Sequence, residues 1–176
     1  MTKIYIDMDG TLTSYSREDY HPTNPHNWIN NPSILCKEPI IKDIPHDWII
    51  LSRVSTEDEA HLKYLWARKH FPNNLIITTF NNKTEVVNPK DSILLDDYNK
   101  NLDEWQQAGG YSIKVLNTIN SPRPDMMCIP QPISITNELV EQDDHSFAMC
   151  FTLYTPSSME CHKLYLRKED KHDLKS

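Results

Sequence analysis

KIYIDMDGTLT, residues 3–13, sets two aspartates two positions apart at the end of a short apolar run. Ile4, Tyr5 and Ile6 are residue types that favour a buried strand. A strand alone does not require Asp7 and Asp9. In extended backbone, residues i and i+2 point the same way, so both carboxylates are expected to face one pocket. Gly10 follows, the only glycine before position 109 in a chain with three glycines and 12 prolines. Glycine used so sparingly points to a backbone role there, a sharp turn away from the two acids.

Working outward, the apolar runs recur. WIIL (48–51), LIITTF (75–80), SILLDD (92–97) and YSIKVL (111–116) each read as a strand. Between the second and third, a helix is expected from Thr56, over TEDEAHLKYLWARKHF. Acids fill its first turn and bases its last, matching the helix dipole. Leu62, Leu65 and Trp66 are expected to form its apolar face, with Pro72 ending it. A shorter helix is expected over 101–108, stopped by Gly109 and Gly110. Strand, helix, strand in this order argues for a three-layer α/β sandwich, Rossmann-like, with a central parallel sheet. The core is expected to span 1–120. Residues 14–47, broken by five prolines, would be a small cap insert. Residues 121–176 would be an extension that leaves the alternation, with apolar patches at 146–154 and 161–168 forming a β-hairpin packed on the core.

Composition narrows the function. The 176 residues carry 25 acids against 18 bases, a net charge of −7. No basic patch stands out, which argues against a nucleic acid duplex as partner. The apolar runs are too short to span a membrane and no signal-peptide pattern opens the chain, so a soluble, cytoplasmic protein is expected. The four cysteines form no CxxC pair and read as reduced thiols.

In open parallel sheets, ligands sit beyond the carboxyl ends of the strands. Asp7 and Asp9 end the first strand and Asp96 and Asp97 the fourth, so up to four carboxylates share one crevice. Such a cluster repels itself unless a cation joins it. Oxygen-only ligands favour a hard ion, Mg2+ over zinc. An aspartate in such a site can attack phosphorus, and a second carboxyl can protonate the leaving alcohol and then deprotonate water. The transferring phosphoryl group needs donors. Ser52 offers a hydroxyl after the second strand, with Ser55 close by. Lys83 in NNKTE offers an ammonium, in competition with Lys69 and Lys90. Arg53 either grips substrate or is simply solvated.

DMDGT, a serine after an apolar strand, a lysine and then LLDD, in this order, resemble the haloacid dehalogenase-like superfamily of phosphatases. SILLDDYNKNLDEWQQAGGYSIKVLN (92–117) resembles the 5′(3′)-deoxyribonucleotidase group within it, as does IPHDWIILSRVS more loosely. The resemblance covers residues 3–117 and implies the following roles. Asp7 would be the nucleophile that forms an aspartyl-phosphate. Asp9 would be the general acid/base, with its carbonyl on the metal. Ser52 would bind phosphate, Lys83 would hold nucleophile and phosphate, and Asp96 and Asp97 would bind magnesium. The insert is shorter than the cap of the larger nucleotidases.

The expected activity is therefore a magnesium-dependent phosphomonoesterase acting on a small-molecule phosphate ester, foremost a nucleoside monophosphate. Tyr15, Tyr20 and Trp28 in the insert are candidates to stack on a base, or else the insert's own small core. A phosphatase for another ester such as a sugar phosphate, and a non-catalytic nucleotide- or partner-binding module, are the alternatives.

Overall fold

The structure is a computed structural model and describes residues 3–13, 38–39, 47–117, 120–130, 135–141, 147–155 and 158–166. Tyr15, Tyr20 and Trp28, and nearly all of the expected cap insert, lie outside the described residues. The chain divides into two units, Met1–Ile41 with His46–Pro132 and Lys42–Pro45 with Ile133–Ser176.

The first unit is a six-stranded, all-parallel sheet. Its strands are β1 (Lys3–Ile6), β2 (Trp48–Arg53), β3 (Leu75–Thr79), β4 (Ser92–Asp96), β5 (Tyr111–Leu116) and β6 (Met127–Pro130). The helices are α1 (Glu57–His70) between β2 and β3, the single turn α2 (Lys83–Val86) between β3 and β4, and α3 (Asn99–Gln107) between β4 and β5. The strand order β3-β2-β1-β4-β5-β6 makes this a doubly wound, Rossmann-like α/β fold.

Alternation along the strands decides which helix covers which face. Tyr5, Leu51 and Leu94 pack with Leu102 and Trp105 of α3, and the Tyr5 and Trp105 rings meet edge-on at 5.3 Å. One position away, Trp48 belongs to the other face. There it packs on Phe71 at 4.9 Å, which in turn meets Trp66 of α1 at 5.8 Å. Helices thus cover both faces, and β4 is buried along its whole length.

The start of α1 is as read. Thr56 caps it by accepting a hydrogen bond from the Glu59 amide at 3.1 Å. Its inward face differs from the expectation. Leu65 is 45% exposed, and the side chains turned inward are Glu59, Lys63, Trp66 and Ala67. Helical spacing puts these four on one stripe, and the two charged members pair with each other at 3.1 Å.

The parallel sheet also runs beyond residue 120. Met127–Pro130 pairs with β5 from Ile113↔Met127 to Leu116↔Pro130. No helical pattern precedes this short run, which hid it from a reading based on alternation. Its position at the sheet edge tolerates the proline that closes it. The connection is pinned by reciprocal bonds between Asn117 and Asn120 (3.0 and 3.1 Å) and by Arg123, which pairs with Asp103 and Asp125.

The second unit holds an antiparallel sheet of β7 (Ile135–Glu141), β8 (Phe147–Thr155) and β9 (Ser158–Leu166), in that order. The expected hairpin is the β8–β9 pair, in register from Phe147↔Leu166 to Thr155↔Ser158. β7, polar in sequence, adds a third strand that the reading did not include. Among the described residues, no helix is long and apolar enough to cross a membrane. Cys128 carries a free thiol.

Candidate active site

The sheet reverses direction of winding between β1 and β4, and the crevice outside their carboxyl ends is where such folds hold ligands. Register brings the acids together there. Ile6 pairs with Leu95, and the Asp7 amide donates to the Leu95 carbonyl at 2.9 Å, so Asp7 and Asp96 become neighbours across the ladder. Oxygens of Asp7, Asp96 and Asp97 all lie within 4.8 Å of one another.

After Asp7 the chain leaves the strand and wraps around one carbonyl. The Met8 oxygen accepts from the Thr13 amide (2.8 Å) and the Thr13 hydroxyl (3.0 Å). This loop separates the two acids that extended backbone would have kept together. The Asp9 carboxylate is not in the group of three. It binds Lys63 Nζ through Oδ2 at 2.5 Å.

Gly10 sits at the bend with φ +75°, in the left-handed region. A Cβ there would also lie 2.7 Å from Asp97 Cγ and 2.8 Å from Asn117 Nδ2. Gly10→Ala is therefore expected to destabilise the protein by roughly 1–3 kcal/mol and to displace Asp97. Chemical denaturation with and without magnesium should show a lower midpoint and a smaller stabilisation by the ion.

The remaining acids are held individually. Asp96 accepts from the Tyr98 amide at 2.8 Å, from Asn101 Nδ2 at 2.9 Å and from Lys83 Nζ at 2.6 Å. Asn101 thus holds the loop after β4. Asp97 accepts from Asn117 Nδ2 at 2.7 Å, while its backbone carbonyl takes Asn120 Nδ2 and Lys114 Nζ, both at 3.3 Å. Lys83 opens α2 and is buried. Its ammonium bridges Asp7 Oδ1 and Asp96 Oδ2 at 2.6 Å each. The competing Lys69 and Lys90 are both exposed.

Burial governs the electrostatics. It pushes the Asp7 carboxyl up to about 7, with Lys83 opposing and the Asp96 and Asp9 charges adding to the rise. Burial, then Asp96 and Asp7, hold Asp97 well above the usual carboxylate range. Burial works against the Lys83 charge, but Asp7 and Asp96 outweigh it and hold the ammonium above its ordinary value. Three carboxylates against one ammonium leave the pocket short of positive charge. An all-oxygen set of this spacing fits a hard divalent cation, magnesium better than zinc, and Asp7, Asp96 and Asp97 are the residues that would hold it.

Ser52 is buried inside β2 rather than after it. It shares the face of Trp48 and Ile50, which α1 covers, and there its Oγ accepts from Lys63 Nζ at 3.0 Å. Ser55, the competing hydroxyl, is exposed, and its amide donates to Glu59. Arg53 is exposed too. Its carbonyl, not its guanidinium, joins the network, accepting from Lys63 at 2.9 Å.

Sequence reasoning missed Lys63 and Asn117. Lys63 could have been found from helical spacing, since it lies four residues after Glu59 and three before Trp66, on the stripe that carries the buried tryptophan. Asn117 offered no signal beyond its place just past a strand end.

No protein-family model matches the sequence, and no curated protein matches it. Among solved structures, D,D-heptose 1,7-bisphosphate phosphatase from Burkholderia thailandensis is similar with a TM-score of 0.45 at 9% identity, over 75% of this chain and 94% of that one.

Proposed function

We propose that the protein is a magnesium-dependent phosphomonoesterase working through Asp7. The observation that carries this reading is the buried Lys83 ammonium bridging Asp7 and Asp96 inside a three-carboxylate pocket at the β1/β4 switch point. A merely structural ion pair needs one carboxylate, not three with a shortage of charge beside a solvent-reaching acid.

The steps follow from the residues. Lys83 fixes Asp7 Oδ1 and so orients the carboxylate. Asp7 attacks phosphorus, the bond from phosphorus to the ester oxygen breaks, and Asp9 gives its proton to the departing oxygen. Water then attacks the phosphorus of the aspartyl-phosphate and gives a proton to Asp9. The phosphorus–Asp7 bond breaks and inorganic phosphate leaves. Ser52 and Lys83 offer donors to the phosphoryl oxygens. Bound magnesium would supply further charge neutralisation for those oxygens.

A nucleoside 5′-monophosphate is the proposed substrate class, supported by the likeness of 92–117 to the deoxyribonucleotidase group. The proposed setting is the cytoplasm. The test is phosphate release from nucleoside 5′- and 3′-monophosphates, sugar phosphates and an aryl phosphate, with magnesium and with chelator. Release led by nucleotides and lowered by chelator roughly 100-fold or more is expected. Sugar phosphates outpacing every nucleotide would overturn the substrate class. Release indifferent to chelator would overturn the metal. No release at all would overturn the enzyme reading and favour a binding module.

A further inference from the structure

Lys63 is a fully buried lysine, and several acceptors among the described residues crowd its ammonium. Asp9 Oδ2 stands at 2.5 Å, Arg53 O at 2.9 Å, Ser52 Oγ at 3.0 Å and Glu59 Oε1 at 3.1 Å. It comes from the middle of α1, yet it touches the ends of β1 and β2 together. We infer that Lys63 is a positioning residue that sets Asp9 for proton transfer to the leaving group and turns the Ser52 hydroxyl toward the substrate phosphate. This inference rests on the phosphomonoesterase reading above.

Two details of the geometry carry it. The Asp9 side chain keeps 31% exposure, against 9% for Asp7 and none for Asp96. Asp9 can therefore reach an ester oxygen or a water. Lys63 holds that side chain in place through Oδ2.

Ser52 is the second detail. Its oxygen accepts from Lys63, so its own proton must point elsewhere. The acceptor described for that proton is the Arg53 carbonyl at 3.5 Å, the far limit of a hydrogen bond. An anionic phosphate oxygen is a stronger acceptor and would draw the hydroxyl away from it.

A purely structural lysine would affect all substrates alike. A lysine that positions the acid would affect most those esters whose leaving group needs a proton. An alkyl phosphate such as a nucleoside 5′-monophosphate needs one, whereas p-nitrophenyl phosphate releases a stable anion and does not. Lys63→Met is expected to lower kcat/KM for the nucleotide at least tenfold more than for the aryl ester. The KM for both should rise as Ser52 loses its orientation.

Lys63→Gln, which is shorter but keeps a polar tip among the polar partners, carries the same expectation should the methionine variant not fold. Glu59→Gln is the control. It disturbs the same buried pair without touching Asp9, and it should leave the alkyl-to-aryl ratio unchanged. An equal fall for both esters in the Lys63 variants, or the same shift of ratio in Glu59→Gln, overturns the inference. Wild-type protein that releases phosphate from neither ester overturns the underlying reading instead, and the two failures are told apart by that measurement.

Discussion

Asp7→Asn is expected to lower turnover by roughly 10⁴-fold or more while leaving the protein folded. The amide keeps the size and planar shape of the carboxylate, and its oxygen can still accept the Lys83 hydrogen bond that Oδ1 accepts now. What it lacks is a nucleophilic oxygen. The folded state should tolerate the change, because burial already pushes the Asp7 carboxyl up to about 7. Near neutral pH the ionised form is held at a cost, and a neutral isostere removes that cost. Metal-free Asp7→Asn should thus melt no lower than wild type at pH 8. The rise in melting temperature on adding magnesium should shrink, since one of three carboxylates has gone. Phosphate release and thermal unfolding with and without magnesium read both halves. Near-normal turnover in purified variant would remove Asp7 from the nucleophile's place.

The sheet was legible because its strands are short, β-branched or apolar, and separated by segments with caps and breakers. β1 through β5 fall within a residue or two of where alternation put them. Asp96, Asp97 and Asp7 were legible for a related reason: a parallel sheet brings the ends of its central strands together, so acids at two such ends must meet. Asp9 followed a different rule. The i/i+2 argument holds only for extended backbone, and the wrap around the Met8 carbonyl ends the strand at Ile6. Its true neighbour, Lys63, was hidden by counting apolar residues to define a helix face. Leu65 looked like core and is exposed, whereas a lysine with three oxygen acceptors and a glutamate is fully buried. Charge pairing, not hydropathy, sets that stripe. β6 and β7 were hidden by composition, one ending in proline and the other rich in polar residues.

Lys83→Met is expected to cost about 3 kcal/mol in the metal-free protein near pH 8, because it leaves Asp7 and Asp96 buried without their shared cation. For a chain of this size that is a fall of roughly 10 °C in melting temperature. The pH dependence identifies the cause. The folded-state value of Lys83 is raised, so its contribution is fully present below the ordinary lysine value and is lost only far into alkali. The Asp7 value is raised from 3.8 to about 7, so between those values the folded protein holds an extra proton. Metal-free stability from this group therefore declines as pH climbs toward 7 and levels off above it. Removing Lys83 takes away the cation that helps Asp7 ionise, and the decline continues to higher pH. The gap between variant and wild type should be narrower at pH 5, where a protonated Asp7 needs no partner and only Asp96 lacks its cation, and widest at pH 8. Magnesium should narrow it by replacing the missing positive charge. Turnover should nonetheless stay low by about 10²–10³-fold at any magnesium concentration, since the donor to the phosphoryl oxygens is not restored. A gap independent of pH would mean that Lys83 acts through packing and not through the charge of the acids it bridges.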